Sequence, residues 1–412
     1  MSYTPSDHER ARLIDLRDHG AAPLARRAQI ILLSEAETPV AAIAAAVSLT
    51  RAQVYHWRRE WLKRRLDIFS VPSETQAHDT VPAPRPGVDS PRLPLLLQES
   101  VGVLPDDPMA EAARKVLFFH FERMLLYEPG SRAAQDIEAV HDMRVATRRM
   151  RSALRLFKPF FEADTLRPFR RHLRRIALAL GEVRDLDVFM EKAIRFMHDY
   201  PKVDLSPLIA AWEAQRQQAG CELTKQLDSK GFSRFVTEFH TFLTTPGMGT
   251  IPLPGPGNAA PYQVRHIAPR VICEHYEQVR AYDTVLDGAS LLTLHALRIA
   301  FKRLRYTVES FEEVLGPEAK LVIKEIRGMQ DHLGDLNDTR VVGDALRQFV
   351  DQHNAEYSGV PVFLRPDISG VAKYARARET EQQRLLATFP AAWANFNRDD
   401  VRRALALAVA AL

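Results

Sequence analysis

The chain has 412 residues, 46% hydrophobic and 26% charged, and its 56 basic against 52 acidic side chains leave a net charge of +4. That composition belongs to an ordinary globular protein of two or three domains, so any anion site must come from arrangement rather than bulk charge. Two isolated cysteines, Cys221 and Cys273, exclude a disulfide framework and a cysteine zinc cluster. No stretch approaches the roughly 18 apolar residues of a membrane-spanning helix. The first residues, MSYTPSDHERAR, are charged and lack the apolar core of a signal peptide, so a cytoplasmic location is expected.

In chain order, residues 24–36, 40–47 and 50–65 read as three short helices, with Thr50 and Gln53 forming a capping box for the last. A helix, a tight turn and a basic helix carrying Tyr, His and Trp make a helix-turn-helix pattern. Residues 1–69 resemble the homeodomain-like helix-turn-helix of bacterial regulators. The resemblance places Arg51, Gln53, Tyr55 and His56 at the groove-facing end of the recognition helix. Arg58 and Arg59, with Lys63, Arg64 and Arg65, are expected to favour phosphates. Ser48 stands where the turn usually carries glycine. The alternative is a three-helix module for protein contacts that binds no DNA.

Residues 70–108 hold eight prolines with little periodicity and read as a semi-rigid linker. Beyond them the helical period dominates, with a second break at 244–262 and a shorter one at 358–370. Two basic helices stand out, HDMRVATRRMRSALRLF from His141 and HALRIAFKRLRYTVESF from His295. At about 100° per residue, His141, Arg144, Arg148 and Arg151 share one narrow face, and Arg155 joins them. His295, Arg298, Lys302 and Arg305 repeat that face. The opposite side carries Met143, Ala146, Met150, Leu154 and Phe157, matched by Leu297, Ala300, Leu304, Val308 and Phe311. Like charges stacked three and four residues apart repel, so a chain that builds this face twice is expected to place a polyanion there.

The repeat continues past the basic helices. Leu180-Gly181-Glu182 matches Leu333-Gly334-Asp335, and Arg184-Asp185 matches Asn337-Asp338. This internal duplication divides the rest of the chain into halves of about 109–243 and 263–400, each long enough for a four-helix bundle. The expected fold is all-α: two four-helix bundles behind a small N-terminal domain of three or four helices.

The pattern HxxRVxxRRxRxxLxxF followed by LGxxRDLDV resembles the CHAD family, the conserved histidine α-helical domain, over about 109–400. The resemblance implies two pseudo-symmetric four-helix bundles whose basic helices line a cavity binding inorganic polyphosphate. By position it implies His141, Arg144, Arg148, Arg149, Arg151 and Arg155 as ligands in the first half. In the second it implies His295, Arg298, Lys302, Arg303 and Arg305. Arg171, Arg174 and Arg175, with Lys320, Lys324 and Arg327, would come from the following helices. The second copy departs from the pattern at Lys302, Glu309 and Asn337. Glu309 sits where the first copy has Arg155, so the ligand is expected nearer the first half or the last turn outside the cavity. Arg149 and Arg303 fall beside the apolar side and could instead form ion pairs near Asp185 or Asp338.

His141-Asp142 is not repeated at His295-Ala296, and no His and Asp cluster has convincing metal spacing. The two histidines are expected to donate to phosphate or fix the first arginine, with a titration near neutrality. Asp185, Asp187, Asp335 and Asp338 could hold Mg²⁺, but acids across a bundle more often orient arginines. No phosphate loop or nucleophile elbow is present. The sequence therefore points to a non-enzymatic polyphosphate-binding protein without cofactor or metal. DNA is the expected partner of residues 1–69, and granules or the nucleoid the expected place. The rivals are a nucleic-acid-binding regulator using the same basic faces and a metal-dependent polyphosphate phosphohydrolase.

Overall fold

In the computed structural model the chain divides into two compact units, residues 1–87 and 88–412. The structure describes residues 5–19, 22–36, 38, 42–43, 46–47, 54, 57, 61, 65–66, 98–132, 136–255, 259–361 and 364–412. Among these there are twelve α-helices and no strand, so the all-α expectation holds.

The first unit contains α1 (Asp7–His19) and α2 (Ala22–Glu35). Their apolar positions meet Ile43, Val47, Val54 and Trp61 in one small core that also holds Leu13, Leu16, Ile30 and Ile31. Arg65 donates to Glu9 at 2.8 Å, and its guanidinium lies 4.4 Å from the Trp61 ring centroid. The Arg65 hydrogen bond outweighs burial and holds the Glu9 carboxyl down at about 2. Arg65 thus ties its segment to α1 and to Trp61 inside the unit. The six expected DNA-reading residues, Arg51, Gln53, Tyr55, His56, Arg58 and Arg59, lie outside the described residues.

The second unit runs α3 (Met109–Arg132), α4 (Ile137–Leu156), α5 (Arg167–Asp199), α6 (Ser206–Leu227), α7 (Lys230–Thr244), α8 (Val264–Arg280), α9 (Leu291–Ser310), α10 (Ala319–Glu356), α11 (Ser369–Phe396) and α12 (Asp399–Ala410). The helix succession α3 to α7 recurs as α8 to α12, as an internal duplication requires. Helix starts carry their chemical reasons. Asp136 accepts from the amides of Glu138 and Ala139, and Ser290 accepts from Thr293, which caps the two basic helices α4 and α9. Pro168 and Pro207 stand in the first turns of α5 and α6, where no intrahelical amide partner is lost.

One core joins both halves. Met143, Met150, Leu154 and Phe157 of the first copy are buried beside Leu297, Leu304, Val308 and Phe311 of the second. The halves meet where α4 packs on α9, and the Phe157 and Phe311 rings touch edge to face at 5.8 Å. The ends of α5 and α10 run past this core. There Met190, Phe196, Val342 and Leu346 pack with Trp212 and Tyr374 in a separate cluster. Residues 98–108 form a strap on the same unit. The Glu313 carboxylate accepts from the amides of Val101, Gly102 and Val103, and Gly102 supplies the left-handed turn (φ 74) that aims them.

Removing one ring from the seam between the halves should therefore unfold both together. Phe157→Ala is expected to cost about 3–5 kcal/mol, read as a single cooperative loss of helical circular dichroism in urea. Two separated transitions would show that the halves are independent.

Candidate functional site

Because α4 and α9 turn their apolar faces to the core, their basic faces are left along one seam. Arg144 and Arg148 from the first half then share a neighbourhood with Arg298 and Lys302 from the second. Burial, followed by Arg298, Arg148 and Arg144, pushes the Lys302 amine down to about 7. Burial first and cationic neighbours next also lower Arg148 and Arg298. The guanidinium of Arg148 lies 5.8 Å from the Tyr306 ring centroid, and that of Arg305 lies 5.7 Å from it. The buried Nε atoms of Arg148 and Arg298 have no hydrogen-bond partner among the described residues. Among the described residues, neither arginine nor Lys302 is ion-paired.

The two histidines occupy matching places but differ. His295 Nδ1 lies 3.1 Å from Asn337 Oδ1, which orients its ring. His141 faces Arg184 at the corresponding place; burial, then Arg184, Arg148 and Arg144, push it down to about 4. It is therefore uncharged at neutral pH, which corrects the expected titration near neutrality for His141. Its buried Nδ1 has no hydrogen-bond partner among the described residues.

The ends of the seam are unlike. At the first-half end Arg155 lies within electrostatic reach of Arg303 and Arg170, and Arg151 within reach of Arg155 and Arg174. None of these five is ion-paired among the described residues. Arg303 instead donates to Gln278 at 3.2 Å. At the second-half end Glu309, 7% exposed in its side chain, receives Arg149 at 3.2 Å, Arg305 at 2.8 Å and Arg327 at 3.0 Å. Burial would raise its carboxyl, but these arginines outweigh it and hold it below the usual carboxylate range. The ion pair of Arg149 is thus with Glu309, not with the aspartates. Arg144 reaches Asp185 at 3.2 Å, and Lys192 crosses between the halves to Asp338 at 3.0 Å. Burial raises the Asp185 carboxyl despite Arg144.

Of the remaining expected ligands, Arg171, Arg174 and Arg175 stand exposed on α5, and Lys320, Lys324 and Arg327 stand exposed on α10. Among the described residues, no group of three or more His, Cys, Asp or Glu could hold a metal ion. The sequence reading missed Tyr306, Arg170, Arg184 and Lys192. Arg170 and Arg184 were signalled by their spacing from Arg174 and by the LGxxRD segment; Tyr306 and Lys192 meet the site only through tertiary packing.

Two substitutions test this electrostatic arrangement. A lysine held at about 7 in the fold and near 10.5 when unfolded binds fewer protons folded across that window, so stability rises from pH 7 to 10.5. Lys302→Met should raise stability at pH 7 and flatten the lysine's part of that rise, measured by urea unfolding of both proteins at several pH values. Glu309→Gln leaves the half-buried Arg149 and Arg305 and the exposed Arg327 facing each other and is expected to cost about 3 kcal/mol. A loss below about 1 kcal/mol in thermal or urea unfolding would show that the carboxylate is not their counterion.

Comparison with known proteins agrees with this architecture. The CHAD domain model matches residues 115–347, and a homeodomain-like domain model matches residues 21–68. No curated protein matches the chain. Among solved structures, the CHAD domain from the plant Ricinus communis superposes with a TM-score of 0.53 at 21% identity, over 74% of this chain and 95% of that one. PptA from Streptomyces chartreusis gives a TM-score of 0.52 at 15% identity, over 70% and 99%. At those identities the likeness establishes the fold. With one domain model spanning more than half of its length, and a homeodomain-like segment ahead of it, the chain belongs to the CHAD family.

Proposed function

We propose that the seam between α4 and α9 binds inorganic polyphosphate and that the protein is a binding protein rather than an enzyme. The observation that carries this reading is the group Arg144, Arg148, Arg298 and Lys302. These four half-buried cations come from both halves, and three of them have no ion-paired acid among the described residues, with Asp338 and Glu309 acting on them only at longer range. Desolvated like charges with unused donors are unfavourable unless an anion compensates them. Arginine offers paired donors to phosphate oxygens, and a row of cations suits a linear chain of phosphates.

The rival polyanion, nucleic acid, calls for aromatic faces interleaved with the cations for base stacking. Tyr306 is the aromatic in the seam, and it is buried under two guanidiniums with 7% of its surface exposed. Cleavage of phosphates would need a free acid or base. Asp185 and Asp338 are engaged with Arg144 and Lys192, which supports an orienting role for them. The homeodomain-like segment supports DNA contact by residues 1–69, making the protein a cytoplasmic sensor or tether between polyphosphate and the nucleoid.

The test is a titration of the full chain with long-chain polyphosphate, with duplex DNA as competitor. Release of counterions from four cations should weaken binding roughly 50-fold from about 50 to about 200 mM salt. Arg148→Glu with Lys302→Glu should abolish binding while helical circular dichroism stays native. Unchanged affinity in that variant would remove the seam as the site. Displacement by DNA at equal phosphate concentration would favour the nucleic-acid reading, and phosphate release lost in Asp185→Asn would favour an enzyme.

A further inference from the structure

The duplication keeps its centre and changes its ends. In the middle of the seam each cation has a cationic mate, Arg144 with Arg298 and Arg148 with Lys302. At the ends Arg149 with Arg303 and Arg151 with Arg305 stay cationic, but one pair is opposite, because Arg155 corresponds to Glu309. The helices that follow diverge in the same sense. Aligned on their Leu-Gly pairs, Arg167, Arg170, Arg171, Arg174 and Arg175 of α5 face Lys320, Ile323, Lys324, Arg327 and Gly328 of α10.

The structure turns this difference into two unlike exits. At the first-half end, Arg151, Arg155 and Arg303 meet Arg170 and Arg174, and the exposed arginines of α5 continue outward from them. In that stretch Arg167 has the one ion pair found among the described residues, with the exposed Asp164 at 3.6 Å. At the second-half end, a cavity of about 410 Å³ beside Arg149 and Arg327 is walled by the carboxylates of Glu99, Glu309, Glu312 and Glu313. The strap roofs this cavity with Glu99, Ser100 and Val101 and is pinned there by Glu313. Of the three cations that line it, Arg149 and Arg327 are already bound to Glu309, and the exposed Lys320 has no ion pair among the described residues.

We infer that a polyphosphate chain longer than the seam leaves it at one end only, passing Arg155 and Arg303 onto the exposed arginines of α5, while Glu309 and the strap close the other end. The inference rests on the polyphosphate reading of the seam and adds a direction to it. The protein then holds one terminus of the polymer and leaves the rest free, rather than letting the chain thread through. Long chains gain contacts on α5 that a triphosphate, short enough to lie on the central cations, does not reach.

The test compares two variants of the full chain with equal charge change on exposed helix positions. One is Arg170→Glu with Arg174→Glu, and the other is Lys320→Glu with Lys324→Glu. Affinities are measured for long-chain polyphosphate and for tripolyphosphate at fixed salt. The α5 variant should lose at least about tenfold more long-chain affinity than the α10 variant, since it alone removes phosphate contacts. For tripolyphosphate the two variants should be alike. Equal long-chain losses, or a larger loss in the α10 variant, would overturn the single exit. A tripolyphosphate loss in the α5 variant as large as its long-chain loss would also overturn it, by placing Arg170 and Arg174 in the seam. Failure of the unaltered protein to bind either ligand would instead remove the polyphosphate reading itself.

Discussion

Cations brought out of water onto facing helices repel each other, and the second unit is organised around carrying that repulsion. Two like charges about 6 Å apart in a medium of effective dielectric about 20 oppose each other by about 3 kcal/mol. Arg144, Arg148, Arg298 and Lys302 act on one another in this sense, and burial adds a desolvation cost to Arg148, Arg298 and Lys302. The compensation lies on the other side of the same two helices. Met143, Met150, Leu154 and Phe157, with Leu297, Leu304, Val308 and Phe311, are buried in one core, each worth about 1.5–3 kcal/mol. Capping by Asp136 and Ser290 fixes where each helix begins and hence which residues turn inward. The cationic face is thus held by packing that it does not itself contribute to, as a site kept ready for a ligand requires.

The placement of the acids follows from the same constraint. Asp185, Asp338 and Glu309 neutralise cations at the margins, through Arg144, Lys192 and the Arg149–Arg305–Arg327 group. A carboxylate at the centre would satisfy the orphaned guanidinium nitrogens of Arg148 and Arg298, and would occupy the space an anion needs. His141 behaves accordingly. Its neighbours are so cationic that the ring stays neutral, so it can offer one hydrogen bond without adding charge.

What the sequence disclosed, and what it concealed, divides along local and tertiary lines. The basic stripes of α4 and α9 were legible because a 3.6-residue period puts Arg144, Arg148 and Arg151 on one face whatever else the chain does. The buried partners Met143 to Phe157 were legible for the same reason. The partner of Glu309 was not. Arg149 reaches it only because α4 and α9 cross at a particular angle, and periodicity within a helix says nothing about crossing. Tyr306 was hidden likewise: it is next to Arg305 in the chain, but its contact with Arg148 comes from the other half. In residues 98–108 the prolines signal loss of helix, while the grip of Glu313 on three amides joins positions over 200 residues apart. In the first unit Arg65 reads as one more basic residue of a recognition helix, and only its tertiary partners Glu9 and Trp61 reveal its internal role.

The two copies also record which parts of the site tolerate change. Apolar mates differ by little in volume: Met143 and Leu297, Ala146 and Ala300, Met150 and Leu304, Phe157 and Phe311. Such swaps disturb a packed core least. Central cations differ only by Arg148 against Lys302, which keeps the charge while giving up a planar fork. Polarity reverses only where the seam ends. A surface under no demand would drift along its whole length, and a site needing twofold symmetry would keep both ends cationic. Apart from Arg184 against Asn337 beside the two histidines, loss of charge falls at one end, and with the extra arginines of α5 it fits a demand for charge in the middle and for direction at the margins. Arg148 and Lys302 differ within that demand, because only a lysine can shed its proton near neutrality and so lower the cost of an empty seam.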